Sequence, residues 1–285
     1  MARSSWTVRL RFPLMLVGVF VILGVAQGTT AARQDDITWA VSAGFATAIL
    51  AVVGYGLLSR WIERRRPTEV SVGGAVRWLI PGTVIGGGGF ALVMLVIWQL
   101  GGWGTMTRGT WEGLAAMAGI MACVAVCEEL LFRGVLLRIV AERFGGWVAL
   151  LVSAPLFGVM HLINAGADPV GAIAITVTGG LLLGAAYLAT RSLWLPIGIH
   201  FGLNAVQHAV FGVTTDADVL PDYSLYNTTL SGPELLTGGG NGPESSLVLI
   251  LLLSVPTVAL IWYAAATGRM RRVTAPSPQP VPARA

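Results

Sequence analysis

The sequence has no lysine, two cysteines and three histidines, and only 11% of its residues are charged. Each shortage excludes something. Soluble domains carry roughly 25% charged residues, so a chain with 55% apolar residues and this little charge is solvated by lipid. The bilayer is the solvent to reason with. The net charge of +4 comes from short arginine clusters between apolar stretches. No continuous basic stripe is present to track a phosphate backbone, which argues against nucleic acid as a partner. Cys123 and Cys127 lie four apart in one apolar stretch. They are too few for a disulfide framework and fit no metal-binding pattern, so they read as small core residues.

What the sequence has in abundance is apolar length. A spanning helix needs about 20 mostly apolar residues, and about eight stretches qualify: roughly 11–28, 38–59, 78–101, 111–136, 146–164, 169–190, 192–213 and 246–267. The expected fold class is all-α, a polytopic transmembrane bundle of about eight helices forming one domain over 1–272. Residues 214–245, with Asp216, Asp218, Asp222, Glu234, Glu244 and the run Gly238, Gly239, Gly240, read as a flexible extracytoplasmic loop. The tail 273–285, rich in proline and alanine, reads as disordered and cytoplasmic. Arg3, Arg9 and Arg11 ahead of an apolar core also fit a signal peptide. The length of that core favours an uncleaved helix. Trp194 and Trp262 read as interfacial anchors.

Charged groups inside the hydrocarbon region cost at least ~2.5 kcal/mol each on insertion scales and face a bundle interior or cavity that uses them. Here they fall in three stretches: Cys127-Glu128-Glu129-Leu130-Leu131-Phe132-Arg133, Phe157-Gly158-Val159-Met160-His161 and His200-Phe201-Gly202-Leu203-Asn204. Glu129 and Arg133 are four apart and share a helix face, in the better order for an ion pair. Glu128, about 100° around the helix, is left to face elsewhere. A purely structural ion-pair cluster of both glutamates with Arg133 is the alternative. The natural turn between spans four and five is Gly145-Gly146, with Glu128 seventeen residues before Gly145 and His161 sixteen after it. In a helical hairpin both then sit ~24 Å from the turn, at one depth. On span seven, His200 and Asn204 share a face, with His208 a further turn along. His208 lies toward the outer end and reads as structural.

A carboxylate and an imidazole facing one wet cavity can activate water, and a histidine with an asparagine amide can donate to the oxyanion of a tetrahedral intermediate. This is equipment for amide hydrolysis. No cofactor is required by that scheme. Glu128, His161 and His200 are also a conceivable three-ligand set for zinc or another divalent metal, although His-Glu-x-x-His is absent. No Gly-x-Ser-x-Gly elbow supports a serine route.

The motifs Glu-Glu-x-x-x-Arg, Phe-x-x-x-His and His-x-x-x-Asn, in this order over roughly residues 110–213, resemble the signature of the CAAX-processing and bacteriocin-processing (CPBP, Abi) intramembrane protease family. The resemblance implies an eight-helix membrane peptidase in which Glu128 and His161 activate water while His200 and Asn204 stabilise the oxyanion. Glu129, Arg133 and Phe157 would support the site. The implied partners are the lipid bilayer and a membrane-associated or lipidated peptide or protein. A transporter using the polar cluster as a relay and a non-catalytic immunity or scaffold protein acting through the acidic outer loop are the rival readings.

Arginine placement predicts a multi-pass cell-membrane protein with both termini cytoplasmic. Arg60, Arg64, Arg65, Arg66, Arg77, Arg138, Arg143, Arg191, Arg269, Arg271 and Arg272 fall on one side, and only Arg33 and Arg108 on the other. In a chain with Cys123 and Cys127 replaced, a membrane-impermeant thiol reagent applied outside intact cells should label Ser231→Cys and spare Arg64→Cys. The opposite pattern reverses the orientation.

Overall fold

The computed structural model describes residues 5–163, 168–213 and 223–271, with side chains from residue 10 onward. Arg3, Arg272, Asp216, Asp218, Asp222 and the tail 273–285 lie outside these residues. Helices dominate, as the apolar stretches require: α1 Ser5–Ala31, α2 Ile37–Ile62, α3 Val72–Gln99, α4 Trp111–Phe144, α5 Gly146–Met160, α6 Pro169–Thr190, α7 Trp194–Asn204 with a continuation Ala205–Val210, and α8 Leu247–Ala266. Seven of them are long and apolar enough to cross a bilayer among the described residues. The seventh in chain order, α7, is shorter than the stretch 192–213 expected for it.

Local chemistry marks the helix starts. Asp36, Ser71, Thr110, Asp168 and Ser246 each accept a backbone N–H of the first turn of α2, α3, α4, α6 and α8, satisfying donors that a helix start otherwise leaves orphaned. Gly145, at φ 91°, makes the turn between α4 and α5, where the sequence placed it. A left-handed φ of this kind carries no steric penalty for glycine.

No sheet was expected from the apolar stretches. Strands β1 Trp103–Arg108 and β2 Tyr226–Leu230 pair antiparallel, with Met106 opposite Thr228, Arg108 opposite Tyr226 and an irregularity between Trp103 and Met106. They tie the start of α4 to the segment that follows α7. The described part of the loop, 223–245, holds β2 and three single helical turns.

Burial ranks the helices. Two thirds of the central stretches of α4 and α6 are buried, 67% each, against 22% for α1 and α8, so α4 and α6 form the centre and α1 and α8 the lipid-facing flanks. Leu50, Leu151 and Val255 are among the large apolar side chains left exposed, which lipid tolerates. Within the bundle, small residues let backbones meet. α3 lies against α7 through Gly82, Gly86, Gly198 and Gly202. A Cβ on Gly86 would overlap the Ile199 carbonyl and one on Gly202 the Thr83 carbonyl. α2 meets α4 similarly, Gly44 resting on the Gly119 backbone.

This packing predicts opposite signs for two nearly adjacent substitutions. Gly86→Ala should destabilise by ~1–3 kcal/mol through overpacking. Gly88, whose added Cβ would meet nothing within 4 Å, should tolerate alanine with a gain of up to ~1 kcal/mol from helix propensity. Thermal unfolding of the two variants in one detergent checks the contrast.

Candidate active site

The site forms where three helices depart from α geometry. Directly after Glu129 the chain becomes π-helical over Leu130–Leu137, α6 does so over Thr176–Leu181, and α7 does so directly after Asn204, over Ala205–Val210. Such bulges release backbone groups from the regular ladder and recur at functional sites.

Glu129 and Arg133 are completely buried and joined at 2.7 Å, Arg133 Nη1 donating to Glu129 Oε1. Arg133 Nη2 donates across to the carbonyls of Gly179 and Gly180, at 3.0 and 3.4 Å, within the π-helical stretch of α6. The guanidinium lies 4.3 Å from the centroid of the Phe157 ring, so its face is covered by an aromatic quadrupole. Phe157 also packs edge-on against Phe132 and touches both imidazoles, with ring centroids 4.9 Å from His161 and 6.1 Å from His200.

The two neighbouring glutamates differ. His200 Nδ1 donates to Glu129 Oε1 at 3.0 Å, so that one oxygen serves both Arg133 and His200. Glu128 points the other way around α4: its carboxylate is partly exposed, and its Oε2 is buried without a hydrogen-bond partner, 3.9 Å from His200 Nε2. That gap is too wide for a direct hydrogen bond. His161 sits at the end of α5, opening the single turn His161–Ile163. Its Nδ1 lies 2.8 Å from the Phe157 carbonyl. A carbonyl only accepts, so this nitrogen carries the proton, and Nε2 of the neutral ring is left with its lone pair.

The structure thus brings Glu128, Glu129, Arg133, Phe157, His161 and His200 into one cluster. Among the described residues no direct hydrogen bond or ion pair joins His161 to Glu128. Asn204 is half-buried one turn beyond His200 on α7, and His208 is buried in the π-helical continuation. Among the described residues no three His, Cys, Asp or Glu side chains gather as a metal-ligand group. Sequence reasoning missed Gly179 and Gly180, whose carbonyls hold the guanidinium. A Gly-Gly pair inside a span was the available signal.

A cavity of about 440 Å³, lined by none of these site residues, opens between α2, α3, α4 and α7. Phe45, Ile49, Ile80 and Val84 form its exposed walls, and Val126 and Phe201 its inner ones, each within three residues of a site residue. Thr83 Oγ1, the one hydroxyl in the lining, is spent on the Leu79 carbonyl.

Residues 110–206 match the family described as Type II CAAX prenyl endopeptidase Rce1-like. Over this segment the chain is similar to the CAAX proteases. It contains all seven residues singled out from the three motifs and, with the seven apolar helices, supports a multi-pass membrane protease in general. No curated protein and no solved structure matches the chain.

Removing one partner of a buried ion pair leaves a charge unpaired at a cost of ~3–5 kcal/mol. Arg133→Met should accordingly lower the unfolding midpoint in detergent steeply. Adding Glu129→Gln to it should recover part of the loss, since the double variant strands no charge. Equal loss in both variants would mean that the pair is not what holds the centre.

Proposed function

We propose that the chain is an intramembrane endopeptidase that cleaves a membrane-associated or lipidated peptide with a water activated by Glu128, without a metal in the step. The supporting observation is the asymmetry of the two carboxylates. Glu129 is wholly buried and its Oε1 is held by Arg133 and His200, whereas Glu128 is partly exposed and no donor holds its Oε2, 3.9 Å from an imidazole nitrogen. A buried acceptor without a donor is costly, and a water lying between Glu128 and the imidazoles satisfies it.

In this reading Glu128 takes a proton from that water as the water oxygen bonds to the scissile carbonyl carbon. His161 Nε2 orients the water. The tetrahedral oxyanion accepts hydrogen bonds from His200 Nε2 and the Asn204 amide. His200 then needs a proton on both nitrogens, one for Glu129 and one for the oxyanion. Collapse breaks the C–N bond, and the proton held by Glu128 passes to the leaving amine. Glu129 and Arg133 do no chemistry here; they fix the His200 ring. The apolar cavity shared by α4 and α7, which carry site residues, suits the hydrocarbon part of a substrate delivered from the bilayer. The arginine distribution supports cytoplasmic termini in a cell membrane.

Loss of a general base lowers turnover by ~10²–10⁴-fold. Purified Glu128→Gln and His161→Ala should show that loss on a lipidated peptide in detergent or nanodiscs, with elution and unfolding like the parent. Activity retained by both variants ends the proposal. Activity abolished by a chelator and restored by zinc would replace the metal-free step with a metal-dependent one.

A further inference from the structure

A second buried polar cluster lies on the arginine-rich side of the bundle, where nothing in the proposed chemistry uses it. It comprises Tyr55 on α2, Glu63, Arg65 and Glu69 between α2 and α3, and Arg138 on α4. Tyr55, Glu63, Glu69 and Arg138 are all at most 6% exposed. Arg65 bridges Glu63 and Glu69, and Arg138 Nη2 donates to Glu63 Oε2 at 2.8 Å. Burial alone would raise the Glu69 carboxyl. Hydrogen bonds from Arg65 and Tyr55 and the Arg65 charge outweigh it and hold the group below the usual carboxylate range, so Glu69 stays ionised.

This cluster reaches the active helix at one atom, the Gly134 carbonyl oxygen. In a regular α-helix that oxygen would accept the backbone N–H of Arg138. In the π-helical stretch the Arg138 N–H goes instead to the carbonyls of Arg133 and Val135. The freed oxygen accepts Arg138 Nε at 2.7 Å, so the side chain folds back to the group that its own backbone abandoned. The Tyr55 hydroxyl lies 2.9 Å from the same oxygen and 2.6 Å from Glu69 Oε1, its single proton shared between the two. Glycine at 134 leaves room for this approach. A Cβ there would stand 3.0 Å from the Tyr55 ring.

We propose that Arg138 and Tyr55, anchored by Glu63, Arg65 and Glu69, are positioning residues that clasp the Gly134 carbonyl and hold the π-helical turn, fixing the register in which Glu128, Glu129 and Arg133 face the site. The part concerning turnover rests on the peptidase reading; the part concerning the helix does not. Returning Leu130–Leu137 to α geometry would rotate residues on one side of the turn relative to the other. A group that stabilises the bulge thus controls the aim of the site from one turn away. Misplacement of about 1 Å at such a site can cost ~10²-fold in rate.

Tyr55→Phe keeps the ring and loses the hydroxyl; Arg138→Lys keeps the charge and loses the Nε donor. Hydrogen exchange read by mass spectrometry should be faster in both across 130–139 and unchanged in α8. On the lipidated peptide, kcat should fall ~10- to 100-fold with KM within about twofold, because the clasp touches no substrate. Unchanged exchange over 130–139 in both variants overturns the clasp, whatever the activity does. Faster exchange with unaltered kcat overturns the positioning role. If the parent enzyme cleaves nothing, or Glu128→Gln cleaves as well as the parent, the peptidase reading fails separately. The exchange comparison then still decides whether these residues hold the turn.

Discussion

A guanidinium with no exposure to solvent, inside a bundle surrounded by hydrocarbon, can persist only if the protein replaces its water. Arg133 has that replacement at its two terminal nitrogens, from the Glu129 carboxylate and two backbone carbonyls of α6, and over its face from Phe157, while its Nε finds no acceptor. The requirement reaches outward. α6 has carbonyls to offer because it is π-helical there. Phe157 stands where it does because glycine at 179 leaves room for its ring; a Cβ there would come within 2.9 Å of it. His200 takes its orientation from the same carboxylate oxygen that neutralises Arg133. Buried ion pairs contribute little net stability against a hydrophobic replacement. Their use here is directional, because a charge that must be paired fixes every group that pairs with it.

Adjacent residues of one type can thereby do different work. Glu128 and Glu129 follow each other in the chain, and helical geometry turns them about 100° apart. One lands where two donors hold its Oε1; the other is partly exposed, with no donor on the oxygen that faces an imidazole. Setting two like groups in unlike surroundings lets one site hold carboxylates of different character. The bundle around them is suited to holding such a difference. Backbones of α3 and α7, and of α2 and α4, meet at glycines without intervening side chains, so the helices carrying the site have few ways to shift relative to each other.

Much of this was legible in the sequence. Lipid as solvent followed from composition, and the spans followed from apolar length. The Glu129–Arg133 pairing and the separate direction of Glu128 followed from residues one and four apart on a helix. The turn at Gly145 followed from its glycines, and the match over 110–206 agrees with the family resemblance read from the motifs. The β1–β2 pairing was not legible, since strands as short as Tyr226–Leu230 outside the apolar spans leave a weak pattern. The shortening of α7 was equally hidden, because apolar length alone does not say where a helix stops.

The sequence by itself determined which residues carry charge into the membrane and which of them share a helix face, because helical periodicity is local and hydrocarbon penalises unpaired charge everywhere. Only the tertiary structure decided who the partners are: that Arg133 is held by carbonyls of Gly179 and Gly180, that His200 turns to Glu129, and that Gly134 is met by Tyr55 and Arg138. Those contacts join residues far apart in the chain, several through backbone groups released by π-helical turns. A backbone group has no letter in the sequence.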